Sequence, residues 1–293
     1  MDFLRPATLA EALEAKAAFG EAVPIAGGTD VMVELNFDHR RPAALLDLNR
    51  VAELHEHTRV DGQVRIGASV PYARIIAELG AELPGLAMAS RTVGSPQIRN
   101  RGSVGGNLGA ASPAGDSHPA LLAAGAEVEI ASVRGTRLVP VAEFYTGVKR
   151  NVLAADELIT AVRLRPATGP QQFSKIGSRN AMVIAVCAFG LALHPEQERV
   201  GTGVGSAAPT PRRAPEAEEF LAAELTDRGL WTSPRPLEDS VKRRFGELVA
   251  AAASPIDDVR GSAAYRKHAL AVMARRTLGW AWDEYREGSR ACA

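Results

Sequence analysis

Residues Gln97 to Pro119 read QIRNRGSVGGNLGAASPAGDSHP, a run with five glycines, two prolines and almost no large apolar side chain. Nothing in it is built to fill a core. Glycine loses the most backbone freedom on folding, so it is placed where the chain takes φ > 0 or where a backbone must come close to something. Gly105 and Gly106 sit between Ser103 and Asn107, and a turn of that make-up presents backbone N–H groups as an anion-binding nest. Nine residues beyond Asn107, Asp116 offers an acceptor of the kind that takes hydroxyl protons from a ribose or sugar-like chain. Phosphate donors beside a hydroxyl acceptor suggest a nucleotide cofactor.

An earlier segment has the same character. Val23-Pro24-Ile25-Ala26 reads as a short buried strand that runs directly into Gly27-Gly28-Thr29-Asp30. A single Gly-Gly pair is also explained by an ordinary tight turn. Two such pairs with hydroxyl and carboxylate neighbours can close on one ligand from two sides.

At these residues the chain resembles a known family. Ala26 to Asp30 (AGGTD) and Gln97 to Leu121 are similar to the FAD-binding medium subunit of the molybdenum hydroxylases, the family of xanthine dehydrogenase and carbon monoxide dehydrogenase. The likeness continues through Glu143 to Gly147, Glu157 to Ile159, Phe173 to Arg179 and Val259 to Arg266, and so covers nearly the whole chain. It implies FAD on this chain. Ile25, Ala26, Gly27, Gly28, Thr29 and Asp30, together with Ser103, Val104, Gly105, Gly106 and Asn107, would hold the pyrophosphate and ribityl chain. Asp116 would accept hydroxyl hydrogen bonds. Val93 would also belong to the cofactor site, and Leu158 or Ile159 would pack on the ring system, although periodicity alone reads each as a core residue of a strand. Lys175 would lie beside the cofactor, where a fixed cation stabilises phosphate or a reduced, anionic ring; a lysine on a strand is otherwise a solvated side chain. Tyr145 and Arg179 would line the ring or its approach. One departure stands out: Ala181-Met182-Val183 precede Ile184-Ala185 where relatives carry acidic residues, and the electron acceptor stays open.

In chain order, Thr8 and Glu11 form a capping box that starts a helix ended by Gly20, and a strand, the first glycine turn, a short helix and a strand at Ala43 to Leu48 complete a small α/β unit by about residue 57. The next unit is expected to run to about residue 168, with strands at Val64 to Ala68, Glu127 to Ile130, Arg137 to Val141 and Leu158 to Leu164. Its helices are expected at Pro71 to Leu79, Leu86 to Val93 and Ala120 to Ala124. Residues 169–293 then read as three antiparallel strands, Gln172 to Ile176, Met182 to Leu193 and Val200 to Gly205, followed by helices near 213–225, 238–252 and 262–279. The fold class is α+β: a two-part FAD-binding domain (about 1–57 and 58–168), then a C-terminal domain with a three-stranded antiparallel sheet and a three-helix bundle. Gly201 to Ser206 superficially matches a dinucleotide fingerprint, but Pro209 and Pro211 would break the helix such a motif must open. It reads as a strand ending in a turn.

Composition excludes other classes. Lys+Arg and Asp+Glu are both 34, and a net charge of zero argues against a nucleic-acid footprint or a polybasic membrane patch. The longest apolar stretch, Ala181 to Leu193, is too short to span a bilayer. The N-terminal Met-Asp-Phe-Leu-Arg-Pro has no signal-peptide pattern, so a cytoplasmic location is expected. No Gly-Lys dipeptide or nucleophile elbow is present, which leaves P-loop and hydrolase chemistry without support. Cys187 and Cys292 are the only cysteines, too few for an iron–sulfur or zinc site. His55 and His57 lack further ligands and read as a surface loop.

The implied function is an oxidoreductase subunit that takes electrons from [2Fe–2S] clusters on a small partner subunit and passes them to an external acceptor, while a large molybdenum-cofactor subunit oxidises the substrate. No residue of this chain is then catalytic on that substrate, and none binds a metal. Two alternatives stay open, a stand-alone flavin oxidoreductase acting on its own small substrate and a non-catalytic scaffold.

Overall fold

A computed structural model describes residues 1–291, so Cys292 lies outside the described residues. Thr8 Oγ1 accepts from Glu11 N–H at 3.2 Å and Glu11 reaches back to Ala7 N–H at 2.7 Å. The expected capping box therefore starts a helix, and it follows a strand that sequence patterning did not reveal. These are β1 (Asp2–Leu4) and α1 (Leu9–Ala18), after which β2 (Val23–Ile25), α2 (Val31–Asn36) and β3 (Ala44–Asp47) complete the small unit. Its three strands are parallel in the order β1-β3-β2. Side chains of β3 alternate: Leu45 joins Val23 and Ile25 in a small cluster, while Ala44 and Leu46 face the main core.

The second unit runs through β4 (His57–Val60), β5 (Gln63–Gly67), α3 (Tyr72–Glu78), α4 (Pro84–Thr92), α5 (Pro96–Arg99), α6 (Val104–Ala110) and α7 (Ser117–Ala124). It continues with β6 (Glu127–Ser132), β7 (Gly135–Pro140), α8 (Val141–Phe144), the short hairpin β8 (Tyr145–Gly147) and β9 (Arg150–Asn151), and β10 (Leu158–Leu164). The five long strands form one antiparallel sheet, β4-β5-β10-β6-β7. The polar stretch around His57, expected as a loop, is the edge strand β4, with His57 Nε2 2.7 Å from the Glu78 carboxylate. The central strand β10 slips register between Ile159 and Ala161.

The remaining residues form β11 (Gln171–Ile176), β12 (Cys187–His194) and β13 (Arg199–Gly205) in one antiparallel sheet, then α9 (Pro215–Asp227), α10 (Asp239–Ala251) and α11 (Ala263–Ala291). The strand expected from Met182 begins only at Cys187. Met182, Val183 and Ile184 line a cleft instead of pairing, and contact with β11 begins at Val186, whose N–H donates to Ile176 O at 2.8 Å. One face of this sheet carries Cys187, Phe189 and Leu191 into a core shared with the three helices. The other receives α7, all of whose residues are buried. Gly201 and Gly203 explain the fit: a Cβ on either would collide with the Ala123 or Pro119 backbone, so the glycine pattern is a seat for a helix and not a phosphate loop.

Candidate functional site

The glycine pair expected in a turn sits in the first turn of α6, capped by Ser103, whose Oγ accepts from Gly106 N–H at 3.1 Å. Gly105 N–H donates to Ala68 O at 3.2 Å and Asn107 N–H to Ser103 O at 3.0 Å. These donors are therefore used internally. The free ones belong to the earlier turn, where the N–H groups of Gly27, Gly28 and Thr29 have no acceptor among the described residues. Gly28 takes φ +75°, a conformation that favours glycine. The two segments touch directly, since a Cβ on Gly27 would strike the Arg101 carbonyl.

Both segments line one cleft of about 980 Å³. Of the expected site residues, Ala26, Gly27, Gly28, Thr29, Asp30, Val93, Ser103, Gly105, Gly106, Asn107, Asp116, Leu158 and Ile159 all face it. Three do not. Ile25 is buried against Val23 and Leu45, Val104 belongs to the main core, and Lys175 stands behind the wall. Lys175 Nζ lies 2.6 Å from Asp116 Oδ2 and 3.2 Å from Thr92 O, so its charge meets a carboxylate first. Thr92 Oγ1 donates to the same Oδ2 at 3.1 Å, which leaves Asp116 Oδ1 buried without a partner. Burial pushes the Asp116 carboxyl above its ordinary value, and Lys175 pulls it back.

A buried polar chain backs the opposite wall. Tyr72 OH lies 3.3 Å from Ser117 Oγ, which donates to Asn107 Oδ1 at 2.7 Å. The Asn107 carboxamide is thereby turned with its NH₂ unpaired among the described residues. Beside it, Tyr145 OH is 2.7 Å from His118 Nδ1, in the wall and not in the cleft. Full burial pushes the His118 imidazole down to about 3, so the ring is neutral. Arg179 donates to Met182 O at 3.0 Å and holds the irregular 177–186 segment over the cleft mouth. Thr92, Tyr72 and Ser117 had no sequence signal of their own, because each acts on the site only through a neighbour distant in the chain.

Residues 1–167 match the FAD binding domain in molybdopterin dehydrogenase, and residues 172–281 match the CO dehydrogenase flavoprotein C-terminal domain. The chain belongs to the FAD-binding medium subunits of the molybdenum hydroxylases. It is 34% identical over 255 residues to the nicotinate dehydrogenase FAD-subunit of Eubacterium barkeri, covering 82% of this chain and 86% of that one. To the nicotine 6-hydroxylase medium subunit of Paenarthrobacter nicotinovorans it is 30% identical over 281 residues, covering 94% and 95%. Among solved structures, reconstituted CO dehydrogenase from Oligotropha carboxidovorans superposes with a TM-score of 0.87 at 27% identity, covering 97% of this chain and 98% of that chain.

The cleft of this medium subunit suits an FAD by three independent features. Its volume is that of a cofactor site. A Cβ on Gly106 would meet only Ser103 Oγ at 3.4 Å, and one on Gly109 only Ile159 Cδ1 at 3.9 Å, so these exposed glycines spare the cleft and not the protein's own packing. The unpartnered Asp116 Oδ1 is the third, a buried acceptor without a donor.

Proposed function

We propose that this chain is the FAD-carrying electron-transfer subunit of a heteromeric molybdenum hydroxylase, fed by [2Fe–2S] clusters on a small partner and discharging to an external acceptor. The observation that carries the reading is the cleft itself, which is lined both by the turn with free N–H donors and by Asp116, one of whose carboxylate oxygens is buried without a partner. FAD, when bound, supplies the redox chemistry that protein side chains lack. In this reading the N–H groups of Gly27 to Thr29 hold the pyrophosphate, with Ala26 and Asp30 flanking them. The exposed backbone of Gly106 lets it approach closely, and the Asn107 NH₂ adds a donor. Ser103 and Val104 set the entry of α6. Asp116 accepts a hydroxyl proton, and Val93, Leu158 and Ile159 exclude water from the ring. Ile25 anchors the first turn from below, and Lys175 acts on the site through Asp116.

Cys187 is fully buried, and burial pushes its thiol up to about 12, so it is no ligand for a cluster. Among the described residues no group of three or more His, Cys, Asp or Glu is placed to hold a metal. In this reading the clusters and the molybdenum cofactor are carried by a small and a large partner subunit, as in the family the chain belongs to. No helix among the described residues is long and apolar enough to cross a membrane, and the reading carries with it the cytoplasmic location expected from the sequence.

The test is an absorption spectrum of the purified chain after FAD addition and desalting, repeated on material co-expressed with its candidate partners. Flavin bands that survive desalting and bleach when substrate is added to the assembled complex support the reading. Absence of flavin from both samples would sink it.

A further inference from the structure

The segment Val259 to Arg266, which shares the family's pattern, supplies none of the residues that line the cleft. It leads into α11, where Arg266 is 3% exposed. One Nη of Arg266 donates to Ser206 O at 2.6 Å and the other to Asp258 Oδ1 at 2.5 Å. Arg260 holds the second oxygen of that carboxylate at 2.9 Å, so the ion pair is fixed from both sides. Arg266 Nε and Ser206 Oγ are nevertheless buried without a partner. A buried ion pair with an unpaired donor contributes little to stability beyond what a well-packed apolar side chain of similar volume gives. Stability alone does not account for an arginine here.

What Arg266 holds lies one hydrogen bond from the cleft. Ser206 follows β13 with φ +59°, a left-handed conformation that a serine keeps only where its surroundings impose it. Its carbonyl meets Arg266, and its own N–H donates to Pro113 O at 2.8 Å. Pro113 lies three residues before Asp116, and Ala114, Gly115 and Asp116 all line the cleft. This loop is therefore held at both ends from the C-terminal domain, at Asp116 by Lys175 and at Pro113 by Ser206. The same segment approaches the cleft at a second place. A Cβ on Gly261 would lie 3.3 Å from Val186 Cγ1, two residues beyond the cleft-lining Ile184.

We propose that Arg266 is a positioning residue of the cofactor site. Through Ser206 and Pro113 it fixes the 113–116 loop, so that the unpartnered Asp116 Oδ1 is in place before FAD arrives. The inference rests on the FAD reading above. Lysine at this position would keep a charge opposite Asp258, but it lacks the planar fork that meets a carboxylate and a carbonyl together. A loop that is not held must be ordered on binding, and that cost is read as weaker FAD affinity.

The test compares Arg266→Lys with the unaltered full chain by FAD titration, by melting of the flavin-free protein, and by hydrogen exchange at the Ser206 amide and in β3. Exchange at Ser206 reports its bond to Pro113, and β3 reports global opening. The expected result is roughly tenfold weaker FAD binding and lost protection at Ser206, with β3 exchange and melting temperature little changed. Ser206→Gly keeps both backbone hydrogen bonds and should bind FAD as the unaltered chain does. Unchanged FAD affinity in Arg266→Lys, equal quickening of exchange in β3, or a matching loss in Ser206→Gly overturns the proposal. The unaltered chain decides even where the lysine variant does not fold, since a Ser206 amide that exchanges freely without flavin also overturns it. An unaltered chain that binds no FAD counts against the flavin reading, whereas free exchange at Ser206 counts against the role of Arg266 alone.

Discussion

Lys175 Nζ on β11 sits 2.6 Å from Asp116 Oδ2 at the start of α7, and both side chains are more than nine-tenths buried. The pair joins the C-terminal sheet to the cleft wall. Removing one partner of such a pair leaves an uncompensated charge, which typically costs about 3–5 kcal/mol. Lys175→Met is therefore expected to lower stability by that order in urea unfolding. Adding Asp116→Asn should recover much of it while FAD retention stays poor, because the hydroxyl acceptor is weakened. Equal loss in the single and double variants would show that the pair is not coupled.

Two of the three glycines of α6, Gly105 and Gly106, should behave oppositely. A Cβ on Gly105 would lie 2.5 Å from Ala68 O, so Gly105→Ala is expected to cost about 1–3 kcal/mol through overpacking. Gly106→Ala meets almost nothing of the protein and gains helix propensity, roughly 1 kcal/mol. Its methyl enters the cleft, so thermal stability of the flavin-free chain should hold or rise while FAD affinity drops. Melting curves and FAD titrations on the two variants check this.

Ser117 is fully buried between Tyr72 and Asn107. Ser117→Ala leaves the Tyr72 hydroxyl without a partner, at about 1–3 kcal/mol, and frees the Asn107 carboxamide to rotate. The Ser117→Ala/Tyr72→Phe double variant removes the orphaned hydroxyl and should regain stability without regaining FAD affinity. Recovery of both would assign Ser117 a packing role only.

His118 couples the fold to pH. Burial holds its folded value at about 3, against roughly 6.5 in the unfolded chain. Between those values the unfolded state binds a proton that the native state does not. Stability from this group is therefore complete above pH about 6.5 and falls as pH drops toward 3, by up to about 1.4 kcal/mol per pH unit. His194, pushed down to about 4 by burial, adds in the same direction. His118→Asn should be less stable at pH 7 yet show a flatter fall in melting temperature between pH 6 and 4.

Much of this was legible in the linear chain because it depends on local spacing. The Thr8–Glu11 box, the proline at the start of α3 and the alternation of β6 involve residues a few positions apart. Those signals survive without tertiary context. The strands β1 and β4 were not legible, since three or four polar or end-placed residues become strands only when a partner edge is available. The misplaced start of β12 has the same origin: an apolar run gives no sign of where pairing stops and a cleft lid begins.

The sequence by itself pointed to a nucleotide cofactor, because paired glycines beside hydroxyl and carboxylate residues are a property of order, and its resemblance to the family implied FAD and partner subunits. Only the tertiary structure decided which donors are free. It assigned them to Gly27 to Thr29 by spending the α6 amides on Ala68 and Ser103. It also decided that Lys175 serves Asp116, 59 positions away, and that the glycines of β13 seat α7. The physical reason is the same in each case. A hydrogen-bond donor or a cation has no assigned role until the fold brings an acceptor within reach, and that distance is set by packing between elements far apart in the chain.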